Sequence, residues 1–203
     1  VGGKGVAMAS VGDPDAELVR KVQNGHRSSF NQLVLKYRNR VLGIAARMLG
    51  DRAEAEDLAQ DVFVKAYHAL GNFKGEALFS TWLYRITANS CLNHRKKQTR
   101  DRRLTEVVDD LEPLRCDPSS NPHNVLERKQ LIAQLEKAIG GLPDDQRMVL
   151  VLRDIEGLSY EQIADCLALE LGTVRSRLHR ARLEVQSKIK AYSFPAEKRS
   201  MAS

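Results

Sequence analysis

Apolar residues recur at spacings of three and four along most of the chain, the period of helices that bury one face. Asp13 followed by Pro14 predicts an N-cap and a first-turn proline for a short helix that Gly25 closes. A second helix is expected over Ser28–Leu49. There Phe30, Leu33, Val34, Tyr37, Val41, Ile44, Ala45 and Met48 form one stripe, and Gly50 suits the C-terminal cap. Asp51 and Glu54 predict a capping box at the head of a third helix. Its core face would carry Leu58, Ala59, Val62, Phe63, Ala66, Tyr67 and Leu70. The loop Gly71-Asn72-Phe73-Lys74-Gly75 interrupts, its two glycines suiting turns that side chains would block. A fourth helix is expected from near Ser80, with Trp82, Leu83 and Ile86 turned inward. Its far end is basic, at Arg95, Lys96, Lys97, Arg100, Arg102 and Arg103.

The periodicity stops at Leu104. From there to Leu126 the chain holds prolines at 113, 118 and 122 and acids at Glu106, Asp109, Asp110, Glu112 and Asp117. A stretch of this length without an apolar stripe is long for a connection inside one compact domain, so a flexible linker and a domain boundary are expected at 104–126. Helical period resumes near Glu127, with Leu131, Leu135, Ala138 and Ile139 ended by Gly140-Gly141. Pro143 opens a helix containing Met148, Val149, Val151, Leu152 and Ile155, which Gly157 ends. Ser159 and Gln162 predict a capping box for a short helix through Leu167, and a turn at Ala168–Leu171 leads to a last helix over Thr173–Lys190. The expected fold is all-α: two small helical domains, 13–103 and 127–192, joined by a linker, the second containing a helix-turn-helix.

The formal net charge of +6 fits nucleic-acid binding without establishing it. No run of about 18–20 apolar residues exists for a membrane span, and the N-terminus lacks a signal peptide's apolar core, so no membrane insertion is expected. Three widely spaced cysteines, Cys91, Cys116 and Cys166, suit a reducing cytoplasm better than a disulfide framework. Val1–Ser10 is small and Gly-rich, and Met-Ala-Ser recurs at Met201–Ser203. Residues 1–12 read as a disordered leader or cloning remnant, and 193–203 as a disordered tail.

The paired helices at Ser159–Leu167 and Thr173–Lys190 have helix-turn-helix spacing, which lays the second helix in the major groove of DNA. That helix carries Arg175, Arg177, His179, Arg180 and Arg182, with Ser176 among them. An arginine can give two hydrogen bonds to one guanine edge, or bind phosphates. Thr173 is expected to cap the helix, whose positive end favours a phosphate. A merely solvated face is the competing account. The row Val174, Leu178, Ala181 and Val185 explains only one side, and acidic partners are few before Glu184. Cys91, His94, Cys116 and His123 are possible zinc ligands, but their spacing is loose and part falls in the linker, so no metal is expected. Cys166 reads as core. No Gly-rich phosphate loop, metalloprotease motif or nucleophile–base set appears, so neither an enzyme nor a cofactor is expected.

The segment Gly172-Thr173-Val174-Arg175-Ser176-Arg177-Leu178-His179-Arg180-Ala181-Arg182 resembles the promoter-reading helix of the extracytoplasmic-function (ECF) sigma factors of bacterial RNA polymerase. Asp57–Tyr67, Gly71–Phe73 with Ser80–Ile86, Leu142–Arg147 and Gly157–Ala164 match the same family in order. The likeness spans about Asp15 to Ile189, apart from the linker. It implies core RNA polymerase and promoter DNA as partners, with an anti-sigma protein as antagonist. It implies that the first domain grips the polymerase clamp and captures the melted upstream promoter element, while the second reads the distal one. Asp57, Gln60, Asp61 and Val64 share one face of the third helix and become the expected polymerase contact. Asn72, Phe73, Lys74, Tyr84, Arg85, Asn89, Arg95 and Lys96 become the expected contacts to melted DNA, and Thr173, Arg175, Ser176, Arg177, His179, Arg180 and Arg182 those to the distal element. The acidic linker resembles the segment such factors thread into the polymerase. One departure is Glu170, where the family often has proline before the recognition helix. The alternative is a two-domain regulator that binds duplex DNA without polymerase.

Overall fold

The computed structural model of the protein describes residues 12–104 and 122–193, with side chains over 12–101 and 131–190. Residues 1–11 of the expected leader, 105–121 of the expected linker and 194–203 of the expected tail lie outside them. The regular structure of the described residues is helical throughout, in the order α1 (Ala16–Gln23), α2 (Arg27–Leu49), α3 (Arg52–Ala69), a short 3-10 turn (Leu70–Asn72), α4 (Phe79–Leu104), α5 (Pro122–Gly140), α6 (Asp144–Leu150), a π-helical turn (Val151–Ile155), α7 (Tyr160–Leu167) and α8 (Leu171–Ser193). The backbone is already helical at Pro122, four residues before the expected linker ends at Leu126.

In the first unit α2 is the central helix, flanked by α1, α3 and α4. Leu33, Val41, Ile44 and Met48 of α2 pack without solvent contact against Val62 of α3 and Leu83 of α4. Each such aliphatic side chain contributes about 1.5–3 kcal/mol relative to exposure. Gly50 ends α2 in the left-handed region at φ +80°, as a C-terminal glycine should. Asp51 then accepts from the backbone N–H of Glu54 at 2.8 Å. Only this half of the expected capping box forms, because the Glu54 carboxylate turns across to His94 and Gln98 on α4.

Helix α1 itself starts after Asp15, but Asp13 still caps its head, one carboxylate oxygen accepting from the backbone N–H of Asp15 at 2.9 Å. The other oxygen accepts from the backbone N–H of Phe79 at 2.8 Å, satisfying a free donor at the head of α4. Asp15 is buried, where Tyr37 and Lys36 donate to it. Burial and that carboxylate push the Tyr37 hydroxyl pKa well above its usual range.

In the second unit α8 packs on α5 and α6 through Val174, Leu178, Ala181 and Val185. The expected single helix after Pro143 relaxes into a wider turn at its end, where Glu156 N–H reaches Val151 C=O. Ser159 and Gln162 form the full capping box of α7. Ala168 closes that helix at φ +52°, a conformation that costs an L-residue about 1–2 kcal/mol. Helix α8 begins at Leu171, so Thr173 lies inside it and does not cap it. The carbonyl of Glu170 accepts from Thr173 and Val174 instead, leaving the departure residue just outside the first turn.

The two units touch. Arg147, 5% exposed, donates to the carbonyls of Leu142 (2.8 Å) and Gly140 in its own unit and to Met48 at the end of α2 (2.8 Å). Arg47 of α2 pairs with Glu136 of α5 at 3.2 Å. Helix α4 lies against α7.

Candidate promoter and polymerase interfaces

On α3, Asp57, Gln60, Asp61 and Val64 are all exposed and follow one side of the helix, opposite Ala55, Leu58, Ala59, Val62 and Ala66. Val64, an apolar side chain 55% exposed amid polar neighbours, is the feature a solvated face does not require.

The loop before α4 is held from two sides. Gln23 of α1 donates to the carbonyls of Leu70 (3.0 Å) and Phe73 (2.9 Å). Phe73 lodges its ring 5.1 Å from Trp82 and 6.2 Å from Phe79, so it anchors the loop from a half-buried position. Asn72 and Lys74 are exposed. Gly75 takes φ +73°, as the loop needs, whereas Gly71 sits in the 3-10 turn at an ordinary φ. Asn72, Phe73, Lys74, Trp82, Arg85 and Asp165 line a pocket between this loop and α7. Gln23 and Asp165 escaped the sequence reading; no local pattern marks a residue that reaches another element.

The α4 contacts divide. Asn89 and Lys96 are exposed. Tyr84, expected to point away from the core, is 2% exposed, because α2 and the second unit cover it. Its hydroxyl accepts from Arg40 at 3.2 Å, and Glu156 faces the same group. Burial raises the pKa values of both Tyr84 and Glu156, against the pull of Arg40. Arg85 donates to the Asp165 carbonyl at 2.7 Å, and Arg95 pairs with Asp144 at 3.1 Å. The side chains of Arg102 and Arg103 lie outside the described residues.

On α8, Arg175, His179 and Arg180 are exposed. Two other arginines are drawn back to their own unit: Arg177 pairs with Asp145 at 3.2 Å, and Arg182 takes both oxygens of Asp154, at 2.5 and 3.0 Å. The Asp154 bond raises the Arg182 pKa further. Ser176 bonds the Thr173 carbonyl and is half-buried. The sequence suggested few acidic partners because Asp145 and Asp154 lie far away along the chain.

Among the described residues no group of three or more His, Cys, Asp or Glu is placed to hold a metal. Cys91 is in the core, where burial pushes its thiol up to about 12, and His94 faces Glu54. Cys166 is likewise buried and raised to about 12. Cys116 lies outside the described residues. No helix among them is long and apolar enough to cross a membrane.

Family models match both units: Sigma-70 region 2 over residues 33–101, and Sigma-70 region 4 over residues 132–185. The RNA polymerase sigma-H factor of Pseudomonas aeruginosa is 42% identical over 175 residues, covering 84% of this chain and 91% of that protein. The ECF RNA polymerase sigma-E factor of Escherichia coli is 38% identical over 181 residues, covering 86% of this chain and 94% of that protein. Among solved structures, the sigma factor RpoE in complex with the anti-sigma factor NepR, from Bartonella quintana, superposes with a TM-score of 0.68 at 25% identity, covering 79% of this chain and 96% of that one. CnrH, in complex with the cytosolic domain of CnrY, gives 0.63 at 28% identity, covering 88% and 99%. The chain belongs to the ECF group of sigma factors. It is a transcription initiation factor that directs RNA polymerase to promoters, and the reading as a polymerase-independent regulator is not favoured.

Proposed function

We propose that the two units divide promoter recognition between them, with the polymerase held on α3. Asp57, Gln60, Asp61 and Val64 form the clamp contact. The observation that carries this is the exposed Val64 at the C-terminal end of an acidic and amide face. Basic polymerase residues would meet the carboxylates, and Val64 would lose water. The loop residues Asn72 and Lys74, with Arg85, Asn89, Arg95 and Lys96, engage the melted upstream element. Asn72 offers both a donor and acceptors to a base edge, and Lys74 neutralises a phosphate. Phe73 serves as the floor of the pocket rather than as a free stacking ring.

At the distal element Arg175, His179 and Arg180 read DNA from the exposed side of α8. Arg177, Arg182 and Ser176 are tied to their own unit and stiffen the reader. Thr173, half-buried in the first turn of α8, adds a hydroxyl next to a phosphate-favouring helix end. The chain carries no chemistry of its own on this reading; nucleotide addition belongs to the polymerase. An anti-sigma protein is the expected antagonist, since both structural relatives above are seen with another protein, NepR named as an anti-sigma factor and the cytosolic domain of CnrY. A role in stress response and action in the cytoplasm accompany this reading.

Co-elution with core polymerase tests it. Gln60→Lys with Asp61→Lys should weaken co-elution while circular dichroism stays unchanged, because both positions are exposed. Unchanged co-elution would remove α3 from the interface.

A further inference from the structure

Helix α1 is fixed to α2 and reaches the Asn72 loop from behind. Val19 is buried in the core, and Asp15, also buried, accepts from Lys36 and Tyr37 of α2. Both ends of α1 are tied to the segment that carries the loop. Near its head, Asp13 accepts from the backbone N–H of Phe79, where α4 begins. At its last residue, the Gln23 side-chain amide donates to the carbonyls of Leu70 at 3.0 Å and Phe73 at 2.9 Å. Both N–H groups of one nitrogen are thereby used, on carbonyls that flank Gly71-Asn72. The backbone N–H of Phe73 closes on the same Leu70 carbonyl at 3.1 Å. The Phe73 ring is held against Trp82 and Phe79. Asn72 is thus the exposed corner of a turn whose backbone is pinned on either side. Gln23 does not line the pocket beside Asn72, so it acts on a base only through the loop.

We propose that Gln23 is a positioning residue for base capture: its amide fork sets the direction in which Asn72 presents its side chain to the melted upstream element. The inference rests on the reading of Asn72 as a base-edge contact. A hydrogen bond to a base edge weakens steeply when donor and acceptor swing out of line. A turn carried only by its own backbone bond would sample more than one orientation. The fork from a fixed helix removes that freedom before DNA arrives, so binding does not have to order the turn. Discrimination between bases depends on this geometry more than affinity does, because a misaligned asparagine still meets DNA but no longer prefers one edge. Asp13 and Asp15 serve the same end by keeping α1 in place.

The test uses holoenzyme assembled from the full chain and a promoter pool randomised at the melted upstream element, with open complexes isolated and sequenced. Gln23→Met keeps the length of the side chain and removes the donor. It should relax base preference at one position of that element about fivefold, within the range that losing one or two solvent-exposed hydrogen bonds allows. Co-elution with core polymerase and preference at the distal element should stay as in the wild type. Gln23→Lys, which restores a donor of sufficient reach, should recover most of the preference. In an Asn72→Ala background Gln23→Met should relax nothing further, since both changes act on one contact. Full preference in Gln23→Met would overturn the proposal. So would a loss that adds to that of Asn72→Ala, or one spread equally over the melted and distal elements, which marks a general loosening. Failure of the underlying reading looks different: Asn72→Ala itself would then keep full preference at the melted element, which removes the contact that Gln23 positions.

Discussion

Helices α4 and α8 both present basic and polar side chains away from an apolar row, yet they meet different surroundings. On α8 the outward residues Arg175, His179 and Arg180 face open solvent. On α4 the second unit covers Tyr84 and holds Arg85 and Arg95. A groove-binding helix needs outward side chains free to meet DNA, and on the proposed reading α8 offers three. On α4 Asn89 and Lys96 are exposed, while Arg85 and Arg95 already bond the second unit. Similar basic composition meets open solvent in one place and a neighbouring unit in the other.

The largest expected effect comes from breaking the joint between them. Arg147→Met removes a buried guanidinium and strands the carbonyls of Met48, Gly140 and Leu142. Leaving a buried acceptor without its donor costs about 1–3 kcal/mol, and three carbonyls share this one guanidinium. Urea unfolding of the full chain should show that loss. A change below about 1 kcal/mol would mean that the carbonyls find water easily and that the joint is loose.

Next come the open arginines of α8. Arg175→Ala and Arg180→Ala should each weaken promoter binding by the holoenzyme by about 1–3 kcal/mol and relax base preference at the distal element. Arg182→Ala should behave differently, leaving the preference intact and lowering stability by about 0.5 kcal/mol, since its half-exposed pair with Asp154 is solvent-screened. Selections on randomised distal elements, run beside thermal melts, check the contrast. Equal loss of preference in all three would merge the two classes.

On the α4 side, Asn72→Ala should leave polymerase binding and closed complexes nearly intact and lower open-complex formation several-fold, a loss of about 1 kcal/mol for one base-edge contact. Permanganate footprinting of unpaired thymines on matched and premelted promoters measures this. Normal footprints on the fully paired promoter would remove Asn72 from strand capture. The smallest effect is local: Ala168→Gly should stabilise the second unit by about 0.5–1 kcal/mol by relieving the left-handed turn between α7 and α8.

Much of this fold was legible because its signals are local. Gly50, Asp51 and the Ser159–Gln162 box mark helix ends within a few residues of the hydrogen bonds they make, and the apolar stripes of α2 and α3 identify the buried faces. The α3 face opposite its stripe was legible for the same reason. What escaped was decided by distant partners. Asp13 kept its bond at the head of α1 but also gained the N–H of Phe79, 66 residues along the chain, which no local pattern shows. Tyr84 lies off the expected row of Trp82, Leu83 and Ile86, and it is buried by partners on other elements, the Tyr37 ring and Arg40 of α2 and Glu156 of the second unit. Arg177 and Arg182 looked as free as Arg175 until Asp145 and Asp154 came into reach. The start of α8 moved forward because the Glu170 carbonyl, not the Thr173 hydroxyl, receives the first N–H groups.

The central claim is that this chain gives RNA polymerase its promoters. Purified protein mixed with core polymerase and a library of promoter fragments, followed by sequencing of the transcripts, tests it most directly. The expected result is a set of starts that needs both components and shares two spaced upstream elements. Specific protection of duplex DNA by the protein alone, with no new starts when polymerase is added, would contradict it.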